Sequence, residues 1–138
     1  MSTKFNEKQE KIQQILSKLT DASAKGKPIM VEGKKDEQAL RTLGICGLVL
    51  TVKTGGKSFL EAITEIENLR IREVVLLLDF DRRGKEGTLR LKQDLERTKI
   101  KVNTRYWDDL KALVGRDIRC IESLSSYLLT LEQKAAKI

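Results

Sequence analysis

Three carboxylates stand where two apolar runs stop. Glu32 closes the run Pro28-Ile-Met-Val, while Asp79 and Asp81, separated by Phe80, follow Val74-Val-Leu-Leu-Leu78. Each run is too short for a helix and reads as a buried strand, the second buried on both faces. A carboxylate at the end of such a strand is expected at the rim of a sheet. In extended backbone, side chains two apart point the same way, so Asp79 and Asp81 are expected on one side and Phe80 on the other. Such a pair suits Mg²⁺, which takes one or two carboxylates and completes its shell with water and phosphate oxygens. If the two strands run parallel, Glu32 faces the aspartates across a small gap. Like-charge repulsion then raises its pKa, which suits Glu32 to moving a proton near neutral pH, or to serving as a further metal ligand.

The neighbours of these acids fit the same chemistry. Gly33 follows Glu32, where it is expected to allow a sharp turn, and Asp36 lies just beyond. Gly84 trails Asp81. Lys34 and Lys35 follow the first acid, Arg82 and Arg83 follow the second motif, and Lys57 lies on the loop after the next strand. Each of these cations would neutralise phosphate beside a metal. The bland alternative is that the acids are solvated strand ends and helix caps, with Asp81 capping the helix that follows.

Thr54-Gly-Gly-Lys-Ser58 evokes a phosphate-binding P-loop. The full pattern, however, requires glycine where this chain has Thr51. Gly56 is therefore expected in a glycine-rich turn at a helix start, where backbone N–H groups can meet phosphate, with Ser58 as the N-cap.

The elements that must position these residues follow from periodicity. Residues 4–20 read as an amphipathic helix and 21–28 as a loop. Strands are expected at 28–32, 48–52, 73–79 and 100–106. Helices are expected at 36–43 (ended by Gly44), at 59–69 on Phe59, Ile63, Ile66 and Leu69, and at 84–98 with Leu89, Leu91 and Leu95 inward. Helices over 108–114 and 117–137 close the chain, the last bearing a stripe of Ile118, Ile121, Leu124, Leu128 and Leu131. Strands alternating with helices imply a mainly parallel sheet covered on both faces. Ligands in such sheets bind beyond the carboxyl ends of the strands, near a switch in strand order.

Composition narrows the choices. The 138 residues, 40% hydrophobic, suffice for a single core. No stretch approaches the roughly 18 apolar residues of a membrane span. The polar start MSTKFNEKQEK argues against a secretory signal, so a cytoplasmic protein is expected. The chain has no histidine, which removes Ser/His/Asp and Cys/His triads and His-ligated metals. Cys46 and Cys120 lack metal-ligand spacing and are expected to be small buried side chains. A net charge of +7 favours a polyanionic partner, nucleic acid first.

An apolar strand ending Glu-Gly with an acid nearby, then an apolar strand ending Asp-x-Asp with a glycine soon after, resembles the Toprim domain. This domain occurs in topoisomerases, bacterial-type primases and several nucleases. The resemblance covers residues 27–107, leaving 1–26 as an N-terminal helix and linker and 108–138 as a C-terminal helical extension packed on the domain. It implies an α/β Toprim (Rossmann-like) fold of about four mainly parallel strands between helices. It also implies Glu32 as the acid/base glutamate and Asp79 and Asp81 as the metal-binding pair. Tyr106 and Tyr127 are expected to be structural, and the chain is too short to carry a topoisomerase's tyrosine domain or a primase's polymerising regions. It is thus most similar to the small stand-alone Toprim proteins and the ribosomal-RNA maturation nucleases. The expected function is Mg²⁺-dependent (or Mn²⁺-dependent) phosphoryl transfer on RNA or DNA, as a nuclease. The rival is a non-catalytic module docking nucleic acid in a larger assembly, with the final helix offering a surface to a protein partner.

Overall fold

Ile29, Met30 and Val31 are all buried, and their place in the sheet explains it. Strand β1 (Ile29–Val31) lies between β2 (Val49–Thr51) and β3 (Glu73–Leu76), with β4 (Lys101–Asn103) outside β3. All pairings are parallel, and Met30 stands opposite Leu50 on one side and Leu76 on the other. The computed structural model describes residues 4–52 and 59–136. Gly56, Lys57 and the rest of the glycine-rich turn lie outside the described residues.

Helices α1 (Lys4–Ala24), α2 (Lys34–Thr42), α3 (Phe59–Asn68), α4 (Arg82–Arg97), α5 (Arg105–Val114) and α6 (Leu124–Ala136) surround the sheet, with a 3-10 turn at Ile121–Ser123. Strand side chains alternate between two cores, as the period of two requires. Ile29, Val31, Val49, Val75 and Leu77 join Ile12, Leu16, Leu19, Leu40, Leu110 and Leu124 on the face covered by α1, α2, α5 and α6. Met30, Leu50, Val74, Leu76 and Leu78 join Ile63, Ile66, Leu91 and Leu95 on the face covered by α3 and α4. This is the expected α/β sandwich. No described helix is long and apolar enough to cross a membrane.

Several expectations need correction. The ladder of β3 stops at Leu76, although the apolar run continues. Leu77 N–H still reaches the Met30 carbonyl at 2.8 Å, but Leu78 C=O is taken by the Trp107 indole and Phe80 N–H by Arg119 C=O. Burial continues past the strand because other partners replace the neighbouring strand. Strand β4 ends at Asn103, whose side chain accepts the Arg105 N–H at 2.9 Å and turns the chain into α5. Tyr106 is therefore helical. Leu89 is exposed, because the inward face of α4 runs through Gly84, Thr88, Leu91 and Leu95. The apolar stripe of the last helix packs on the chain's own core through Leu124, Leu128 and Leu131, as expected of an extension packed on the domain. Cys46 is exposed and Cys120 half-buried, against the expectation that both are buried.

Two glycines differ in what they permit. A Cβ on Gly84 would lie 1.9 Å from the Asp79 carbonyl oxygen, so only glycine lets α4 start against the end of β3. Gly33 has φ −148°, ordinary extended backbone, and a Cβ there would meet nothing closer than the Asp36 carboxylate at 4.0 Å. The chain does bend at Glu32 and Gly33 from β1 into α2, but through a backbone conformation open to any residue. Gly84→Ala should therefore lower stability by about 1–3 kcal/mol, the usual cost of overpacking. Gly33→Ala should stay within roughly 0.5 kcal/mol of wild type. Urea denaturation of both variants checks the contrast, and an unperturbed Gly84→Ala would contradict the close packing.

Candidate functional site

The strand order is β2-β1-β3-β4, so the chain leaves β1 toward one edge and returns on its other side at β3. The order switches between β1 and β3, and the crevice beyond their carboxyl ends is the usual ligand site of such sheets. Glu32 follows β1 and Asp79 follows β3, placing both at this switch.

The Glu32 side chain approaches Asp79 within hydrogen-bonding reach. Two ionised carboxylates have no donor between them, so this approach favours a proton on one of them. Burial, then the hydrogen bond and charge of Glu32, then the charges of Asp36 and Asp81 push the Asp79 carboxyl up to about 8. Asp79 is thus a strongly raised acid, and a proton held there belongs to the coupled pair. Asp79 Oδ1 is buried and makes no hydrogen bond.

Asp36 is buried and bound on both oxygens. Oδ2 accepts the Gly33 N–H at 3.1 Å, and Oδ1 accepts the Glu122 N–H at 2.9 Å. Burial raises its pKa against the pull of these two donors. Asp81 is the N-cap of α4, its Oδ1 accepting the Gly84 N–H at 2.8 Å. Its position near Asp79 is compatible with the expected motif, but one oxygen serves the helix. Among the described residues, no three His, Cys, Asp or Glu side chains form a group that could hold a metal ion.

Lys34 and Lys35 open α2, and Arg82 and Arg83 open α4, all exposed. Arg82 pairs with Glu86 at 3.1 Å. Cations in a first helical turn oppose the helix dipole, at a cost of roughly 0.3–1 kcal/mol each. An anion at these helix ends would reverse that cost.

The structure also brings in residues for which no site role was expected. Trp107, Arg119 and Glu122 reach the two motifs through the bonds described above, and the charge of Asp79 acts on the Cys120 thiol. Burial first, then Glu122 and Asp79, push that thiol up, while a contact with Ser123 opposes them. Trp107 did leave one signal, as the single tryptophan of a chain with only 4% aromatic residues. The contacts of Arg119 and Glu122 are made by backbone atoms and leave no residue signature.

A Toprim domain model matches residues 26–104. A UPF0292 protein of Methanocaldococcus jannaschii is 36% identical over 120 residues, covering 86% of this chain and 91% of its own length. One from Methanosarcina barkeri is 32% identical over 131 residues, covering 94% and 89%. A solved structure of an Aquifex aeolicus protein superposes with a TM-score of 0.67 at 27% identity, covering 80% of this chain and 95% of that one.

The raised aspartates set a pH dependence. Asp79 and Asp36 hold their protons more tightly in the folded chain than at the ordinary aspartate value of 3.8. As pH rises above about 4, the unfolded chain releases these protons first, so stability falls toward about pH 8. Asp79→Asn should flatten this slope and leave the metal-free protein at pH 8 at least as stable as wild type. Thermal melting in EDTA between pH 5 and 8 checks it. A loss of several degrees at pH 8 would make Asp79 a structural hydrogen-bond partner instead.

Proposed function

The chain belongs to the Toprim domain family, and from that premise we propose that it is a Mg²⁺-dependent phosphoryl-transfer domain acting on nucleic acid in the cytoplasm, a nuclease of RNA-processing or DNA-repair type. The observation that carries this reading is the close approach of Glu32 and Asp79 at the β1/β3 switch point. Asp79 Oδ1, buried without a donor, is an oxygen that a cation would satisfy. The donor set is all oxygen, as Mg²⁺ requires, and Mn²⁺ would substitute. Asp79 and Asp81 would hold the ion, with Glu32 beside them. Bound there, it would polarise the scissile phosphate and activate water.

The chain's own residues supply the remaining steps. Glu32 would take a proton from the attacking water, as general base work requires. Lys34, Lys35, Arg82 and Arg83 would neutralise flanking phosphates, and Lys57 is proposed for the same role. The N–H groups at the starts of α2 and α4 add partial positive charge toward the same anion.

A second reading, a Toprim module that binds nucleic acid without cutting, has its own support. Asp81 spends an oxygen on its helix cap, and the described residues include no three-ligand metal group. Cleavage separates the two. Labelled single- and double-stranded RNA and DNA should be cut with Mg²⁺ or Mn²⁺ and left intact with EDTA. Glu32→Gln should keep nucleic-acid affinity while cleavage falls by roughly 10²-fold or more. Wild-type cleavage in Glu32→Gln would remove its assigned role, and no metal-dependent cleavage by the native chain would favour the module.

A further inference from the structure

Three hydrogen bonds cross from the chain beyond residue 104, where the family match ends, to the two acidic motifs. The Trp107 indole N–H donates to the Leu78 carbonyl at 2.8 Å, in the core. Phe80 N–H donates to the Arg119 carbonyl at 2.6 Å. Glu122 N–H donates to Asp36 Oδ1 at 2.9 Å, and the other oxygen of Asp36 takes the N–H of Gly33 at 3.1 Å. The residues on both sides of Asp79 are thereby tied to one segment, and so, through Asp36, is the residue after Glu32.

That segment is itself held firmly. Leu110, Val114, Ile121 and Leu124 are fully buried in the same core as β1 and β3. Trp107 also packs on Phe80, with ring centroids 6.3 Å apart. Bonds serving only to satisfy stray backbone groups could fall anywhere along the domain. Here they fall on the immediate neighbours of the paired carboxylates.

We propose that residues 105–123 form part of the site, with Trp107 and the Glu122 amide as positioning groups that set the separation of Glu32 from Asp79 and hence the affinity for a divalent cation. The inference rests on the metal-site reading given under Proposed function. Groups that orient metal ligands commonly change affinity or activity by about 10–100-fold when removed.

Two substitutions in the full chain test this by different routes. Trp107→Phe keeps a ring against Phe80 and deletes the donor to Leu78. Glu122→Pro deletes the N–H that reaches Asp36 at a first-turn position, where proline suits the helical φ. Glu122→Ala is its control, losing the same carboxylate but keeping the N–H. Hydrogen exchange of the Phe80 and Gly33 amides reports the clamp, and Mn²⁺ binding followed by electron paramagnetic resonance reports the site. Trp107→Phe should speed Phe80 exchange and weaken Mn²⁺ binding about tenfold relative to wild type. Glu122→Pro should do the same for Gly33 relative to Glu122→Ala. If Trp107→Phe no longer melts cooperatively, the Glu122 comparison decides alone. Unchanged Mn²⁺ affinity with unchanged exchange at both amides overturns the proposal. If wild type binds no Mn²⁺, the metal-site reading falls, and exchange decides the clamp: faster exchange confined to these amides supports it, and a uniform change overturns it.

Discussion

Strands β1 and β3 lie side by side and run the same way, so the carboxylates that follow them leave the sheet together. This placement is electrostatically expensive before any ligand arrives. Two anions in a half-buried crevice repel each other and are poorly solvated, and both penalties push the Asp79 carboxyl up to about 8. Several local contacts fix the backbone on either side of the pair. Gly84 lets α4 start against the Asp79 carbonyl, Asp81 caps that helix, and Asp36 takes two backbone donors beside Glu32.

The cations around this pair carry the opposite cost. Lys34, Lys35, Arg82 and Arg83 sit at the positive ends of two helices. Excess negative charge in the crevice and excess positive charge on its rim are separate local penalties. On the proposed reading, a divalent cation in the crevice and a phosphate across it relieve both at once. The binding module uses the rim and leaves the shared proton in place, so the two readings differ in the fate of that proton.

Much of the architecture was legible because the strands follow simple rules. Short apolar runs bounded by turn residues gave four strands, and their alternation with helices implied the parallel sheet. The same logic placed Glu32 and Asp79 at one edge. It failed where burial and strand pairing part company. Leu77, Leu78 and Phe80 are as buried as the strand before them, but Leu78 and Phe80 find their backbone partners in Trp107 and Arg119. The capping role of Asp81 was open to sequence reading, since an aspartate precedes the helix, but the Glu122 amide on Asp36 was not. A contact across 86 residues through a backbone N–H has no residue signature, so the part played by the C-terminal segment needed coordinates.

On the proposed reading, the Asp79–Glu32 pair holds a proton that a metal ion would displace. Calorimetric titration with Mn²⁺ at pH 7, in two buffers of different ionisation enthalpy, counts protons released per ion bound. A carboxyl pushed up to about 8 is mostly protonated at that pH. Wild type should therefore release about one proton per Mn²⁺, and Asp79→Asn should release none. Mn²⁺ binding to wild type without proton release, or with the same release in Asp79→Asn, would contradict the account.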